Sequence, residues 1–205
     1  MDIRSAMAAP AVAMAPGDAP PRLSIQIVPR AALPVIAVIV AGLIITIAGN
    51  WLWALVFYHV VGGGLWTGID LFVGFVIGPI LGRLSIPARA EFSARFMPMM
   101  VVIMPTVVLM TLASGFQLAL GLGNLQSLSP NHGWLVASFV VVGVMATVAL
   151  GILEPANIAV LFEMKKPHPN GELIARLMRR FVYAAGITGA MQIATLVIMT
   201  RVATQ

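Results

Sequence analysis

The chain has 205 residues, of which 60% are hydrophobic and 9% charged, with a mean hydropathy of +1.00. A soluble domain carries charge at about a quarter of its positions, so this composition excludes one and predicts an all-α, polytopic membrane bundle. The formal charge of +5 falls in short clusters between apolar runs, as the positive-inside rule expects, which argues against a nucleic-acid partner. The chain has no cysteine, which excludes disulfides, thiolate metal sites and covalent c-type haem attachment.

Residues 1–30 are rich in Ala and Pro and read as an N-terminal tail, with residues 31–205 forming the transmembrane bundle. The run AMAAPAVAMA is broken by Pro10 and lacks a strongly basic start, so it is a poor signal peptide. From Leu33 to Leu81 no Lys or Arg occurs and Asp70 is the single carboxylate. That run is too long for one spanning helix of about 20 residues and suits two. The break is predicted at Gly49-Asn50, a turn-prone pair, or just after Trp51 and Trp53; Gly62-Gly63-Gly64 is the alternative.

Three further spans are predicted, over Phe96–Leu122, Trp134–Phe162 and Arg179–Val202. The linkers holding Arg83, Arg89, Glu91 and Arg95, and Lys165, Lys166, Arg176, Arg179 and Arg180, are basic, whereas residues 121–132 carry no Lys or Arg. About five helices follow, a four-helix core plus one N-terminal helix, multi-pass in the inner (plasma) membrane with the N-terminus cytoplasmic. Trp51, Trp53, Tyr58 and Trp134 then fall at the outer interface. Helices two to five form two hairpins with a weak internal echo, Ser114-Gly115-Phe116-Gln117 against Gly189-Ala190-Met191-Gln192.

Ionisable groups at membrane depth are expensive and are functional-site candidates by default. On a helix, His59 and Asp70 return to nearly the same face, with Gly63 and Trp66 between them, and stand about 16 Å apart along the axis. They are therefore two sites or two ends of one path. His59 has three open roles: a haem or metal ligand, a histidine bonded to a polar group of a neighbouring helix, or a proton or substrate group. Asp70 and Glu154 are candidates for a proton or ion path; the alternative is ion pairing with Arg83, Arg176, Arg179 or Arg180. Asn50, Gln117, Asn157 and Gln192 suit interhelical hydrogen bonding. No H-E-x-x-H, Walker or G-x-S-x-G motif occurs.

The stretch His59 to Gly68 fits H-x6-W-x-G on a transmembrane helix. It resembles a loose group of small helical membrane proteins: the haem-containing membrane protoporphyrinogen oxidases, the membrane domain of a bacterial urate oxidase, and the copper-resistance D-type domains. The resemblance implies haem b on His59 as axial ligand, with Gly63 and Trp66 at the cofactor. A second ligand would come from His132, Met110 or Met145. Where the protoporphyrinogen oxidases carry a Tyr and an Arg after the tryptophan, this chain has Ile69-Asp70-Leu71-Phe72. The resulting expectation is a haem b protein of electron transfer or membrane oxidoreduction, with a quinone or redox partner protein as exchange partner. The other readings are a small transporter of protons or metal ions, and a structural subunit of a homo-oligomer or larger membrane complex.

Overall fold

A computed structural model describes residues 27–204. The tail expected over residues 1–30 lies mostly outside the described residues. Those described form five helices long and apolar enough to cross a membrane: α1 (Arg30–Gly49), α2 (Leu52–Arg83), α3 (Ile86–Gly121), α4 (His132–Met164) and α5 (Gly171–Ala203). No strand occurs among them.

The first break falls where the sequence places it. Asn50 ends α1 in the left-handed region (φ 49°, ψ 40°), a conformation that Asn tolerates better than most residues. Its side-chain oxygen accepts a bond from Gln117 Nε2 on α3 at 3.3 Å. Gly62–Gly64 lies inside α2 and makes no break.

Two of the predicted linkers prove mostly helical. α3 starts at Ile86, ten residues before the predicted Phe96, with Ser85 as N-cap and Pro in the first turn. Glu91 and Arg95 pair one turn apart on it at 2.8 Å. α5 starts at Gly171, capped by the Asn170 side chain, which accepts from the Leu173 amide at 3.1 Å. A helix of 33 residues is about 50 Å long, against roughly 30 Å of hydrocarbon. The basic residues thus ride on helix ends that project beyond the apolar slab.

α2, α3, α4 and α5 pack in a ring, each against its sequence neighbour and α5 back against α2, while α1 leans on α2 and α3 from outside. This is the four-helix core with one added helix. The centre holds Trp66, Val73, Met97, Met104, Met145, Leu153, Val160 and Phe181. Bilayer chains are as apolar as Leu, so close packing has to hold such a ring together. Gly74 supplies it between α2 and α5: a Cβ there would stand 2.5 Å from the Gly186 Cα.

Two irregularities interrupt the helices. Phe72–Ile77 in α2 and Ala149–Leu153 in α4 are π-helical turns. Each is followed, after one further residue, by proline: Pro79 and Pro155. A proline ring clashes with the carbonyl four residues back. The π register, in which Gly78 N–H reaches Val73 O and Glu154 N–H reaches Ala149 O, absorbs that mismatch without ending the helix.

Candidate functional site

Gly62 lets α2 and α3 cross closely, since a Cβ there would meet Thr111 Oγ1 at 2.7 Å. The crossing brings the Thr111 carbonyl beside the next turn of α2, and His59 Nδ1 lies 2.9 Å from Thr111 O. The carbonyl can only accept, so Nδ1 carries a proton, and in the neutral ring the lone pair is on Nε2. The ring lies against Gly115, where a Cβ would come within 2.7 Å of Nδ1.

His59 lines a cavity of about 310 Å³ between the four core helices. Gly63, Gly64 and Trp66 share its α2 wall, Ser138 and Met145 its α4 wall, and Gln192 and Thr195 its α5 wall. All lie in the half of their helices nearer the 122–131 loop. The lining is mostly apolar and carries no Lys or Arg. The buried Trp66 indole N–H makes no hydrogen bond within 3.5 Å among the described residues, and the Asp70 carboxyl is the acceptor beside it. Met145 is buried, and its sulfur lies 3.7 Å from Thr195 Oγ1.

The structure thus brings His59, Gly63 and Trp66 together, with Met145 from the methionine candidates. His132 and Met110 line no part of this cavity. His132 opens α4 at the loop end, with its buried Nδ1 unpartnered among the described residues, and Met110 packs beside Gly62.

Asp70 faces a separate, smaller space. It is 2% exposed, and its Oδ2 accepts from Gln192 Nε2 at 2.8 Å and lies 3.0 Å from Thr188 Oγ1. Gly189 makes room for this crossing, with the Asp70 carbonyl carbon 3.2 Å from where its Cβ would be. Asp70 and Glu154 line one cavity of about 20 Å³, room for a single water. Val73 from one π turn and Ala149 and Leu153 from the other share its wall with Met100, Met104 and Phe181. Because Gln192 both bonds Asp70 and lines the His59 cavity, polar groups connect Glu154, Asp70 and Gln192 to the larger space.

The ion pairs expected for Asp70 and Glu154 do not form. The salt bridges among the described residues are Glu91–Arg95 and Glu163–Lys166. The arginines stay at the helix ends, while both carboxyl groups lie in the helix interiors beside the π turns. Asn157, one turn beyond Glu154, is fully buried with no hydrogen bond within 3.5 Å among the described residues; its polar neighbour is the Glu154 carboxyl on the same helix, not the interhelical partner its type suggested.

Three partners escaped the sequence reading. The Thr111 acceptor is a backbone atom and leaves no residue-type signal. Thr188 was legible in principle, since it lies four residues before Gln192 and hence on the same helix face. The π turns follow from the prolines only once the helix is known to continue through them. Comparison of the chain with family models, curated proteins and solved structures finds no match in any of the three.

Proposed function

We propose that the protein is an integral membrane haem b-binding protein of electron transfer or membrane oxidoreduction, with His59 as axial ligand. The observation that carries this reading is the His59–Thr111 bond. Ligating histidines almost always donate their second ring nitrogen to a carbonyl or carboxylate, which fixes the tautomer and raises ligand basicity. Here that bond orients the imidazole at the wall of an open cavity between the four core helices.

The residues fit the group in part. Gly63, Gly64 and Gly115 leave the space beside the imidazole bare, the walls are apolar as a haem slot requires, and Met145 offers a thioether on the opposite helix. The cavity volume of about 310 Å³ is at the low end for small-molecule sites, and its lining lacks a cation for the propionates. His59, the bare glycine faces and the Met145 thioether would hold the haem. When bound it would supply one-electron chemistry, with a quinone or a redox protein as exchange partner.

The test is the visible spectrum of protein purified in mild detergent from haem-replete cells. A Soret band that His59→Gly abolishes and added imidazole restores is the expected result. A colourless preparation refutes the assignment.

A second reading has its own support. Asp70 and Glu154 meet at one water-sized cavity that connects through Gln192 to His59, as a proton path through a small transporter would. With the N-terminus cytoplasmic, as the basic helix ends suggest, such a path would run from the inner half outward. Proton uptake by proteoliposomes that falls at least tenfold in Asp70→Asn, in colourless protein, would favour it over the haem reading.

A further inference from the structure

We propose that the groove between α2 and α5, at the end carrying the basic linkers, is a binding site for one anionic glycerophospholipid. Its volume is about 640 Å³, and neither the His59 cavity nor the Asp70 pair borders it.

Its floor is the close seam of α2 and α5, where Gly74 and Gly78 leave no room for a side chain beside Gly186 and Val182. It opens at Gly82, where a Cβ would meet nothing within 4 Å. Gly74, Gly78 and Gly82 follow one another at four-residue spacing on α2, and Gly186 and Ala190 continue the bed on α5. Phe75 and Ile187, each 62% exposed, line it and stand on the bundle surface, where a bilayer places acyl chains. From Ala175 to Ala190 the groove runs along about 22 Å of α5. One leaflet is about 15 Å of hydrocarbon, so the groove suits a lipid of that leaflet with its head beyond the apolar slab.

The head end is positively charged. Arg89 and Arg179 line the groove there, and neither pairs with a carboxylate among the described residues. Arg89 is held in place from one side: its Nε donates to Leu84 O at 2.9 Å and Nη2 to Gly82 O at 2.8 Å. Nη1 remains for a phosphate oxygen, the acceptor that guanidinium geometry matches best. Tyr183, at the same groove and 72% exposed, is the amphipathic type that settles at the head-group level. Charge at one end and an apolar bed one leaflet deep together specify a phospholipid rather than a free anion or a neutral chain.

The full chain, purified in mild detergent, would be titrated with phosphatidylglycerol or phosphatidylcholine, and the lipid retained read by native mass spectrometry. Phosphatidylglycerol is expected to be retained about 20-fold more than phosphatidylcholine. Arg89→Gln and Arg179→Gln should each lose about fivefold, the effect of one cation near a charged lipid surface. Gly82→Phe puts a ring into the groove from a position where a Cβ meets nothing within 4 Å; it should abolish the preference while eluting as the wild type in size exclusion. Arg95→Gln removes an equal charge from an exposed pair elsewhere and should leave retention unchanged. Equal retention of the two lipids overturns the proposal, as does an undiminished preference in Gly82→Phe. A dimer that Gly82→Phe dissociates would show a second copy in the groove and overturn it too. The haem content of the preparation does not enter this readout.

Discussion

Replacing Gly115 by Ala tests the setting of His59 directly. The added Cβ would stand 2.6 Å from His59 Cε1 and 2.7 Å from Nδ1. Unstrained carbon contacts need about 3.5 Å or more, so the ring must retreat by about 1 Å. A hydrogen bond of 2.9 Å to Thr111 O stretched by that amount is no longer one. Overpacking costs about 1–3 kcal/mol and the lost bond about 0.5–1.5 kcal/mol. Ala in place of Gly in a helix returns up to about 1 kcal/mol. The net expectation is a destabilisation of about 1–3 kcal/mol, read by unfolding in detergent. Gly68→Ala is the control, because a Cβ there meets nothing within 4 Å and only the helix gain applies. In a His59→Ala background the clash partner is gone, so Gly115→Ala should become neutral or stabilising, a coupling of about 2–3 kcal/mol in a double-mutant cycle. Equal stability of Gly115→Ala and Gly68→Ala, or a cost that persists without the imidazole, would refute the reasoning.

Other perturbations separate the remaining contacts. Gln192→Leu and Thr188→Val each remove a neighbour of the buried Asp70 carboxyl and should cost about 1.5–3 kcal/mol if it is charged; chemical denaturation should show most of that cost vanishing when Asp70 is Leu. Asn50→Val forces a β-branched residue to φ 49° and also loses the Gln117 bond, so about 2 kcal/mol or more should go, whereas Asn50→Gly should stay within about 1 kcal/mol. Gly74→Leu drives a side chain into the α5 backbone and should prevent a monodisperse preparation, while Gly82→Leu, on open space, should elute as the wild type in size exclusion.

The large-scale fold was legible because a bilayer imposes so few solutions. Apolar runs of spanning length must be helices, Asn50 marks the first turn, and the cation-free segment 121–132 marks the loop opposite the basic ends. Helix starts were less legible. Ile86 and Gly171 open helices whose first turns each carry a charge, Arg89 and Glu172, and hydropathy cannot tell a solvated helix end from a loop. The α2 face of the site was visible as His59, Gly63 and Trp66 at helical spacing. Its other walls were not, because which methionine of thirteen faces an imidazole is decided by helix rotation, and Gln192 reaches Asp70 across 122 residues of sequence.

The two hairpins share a skeleton and differ in what they carry. Each first helix has a π turn ending two residues before its proline, and each second helix has a glutamine after the small-residue echo, Gln117 or Gln192. When Pro79 is laid on Pro155, Glu154 takes the place of Gly78, and Asp70 that of Ala146. The skeleton explains the swap. Gly78 must be bare because Val182 of α5 fills its side-chain space, 2.4 Å from where a Cβ would stand; Glu154, at the matching place, lines the small cavity with Asp70. The glutamines diverge likewise: Gln117 bonds Asn50 at the loop of α1, while Gln192 bonds Asp70 in the core. A duplicated helical pair would therefore have kept its proline-induced π turns and placed one carboxyl beside the π turn of each first helix, at different heights. The paired turns then bring the two carboxyls to the same cavity. On this view the π turns are part of the site's construction, and restoring an α register by Pro155→Ala should rotate Glu154 away from Asp70 while leaving His59 and Thr111 bonded. Cross-linking of cysteines placed at Val73 and Leu153 should weaken in that variant. Undiminished cross-linking would show that the carboxyls meet for another reason.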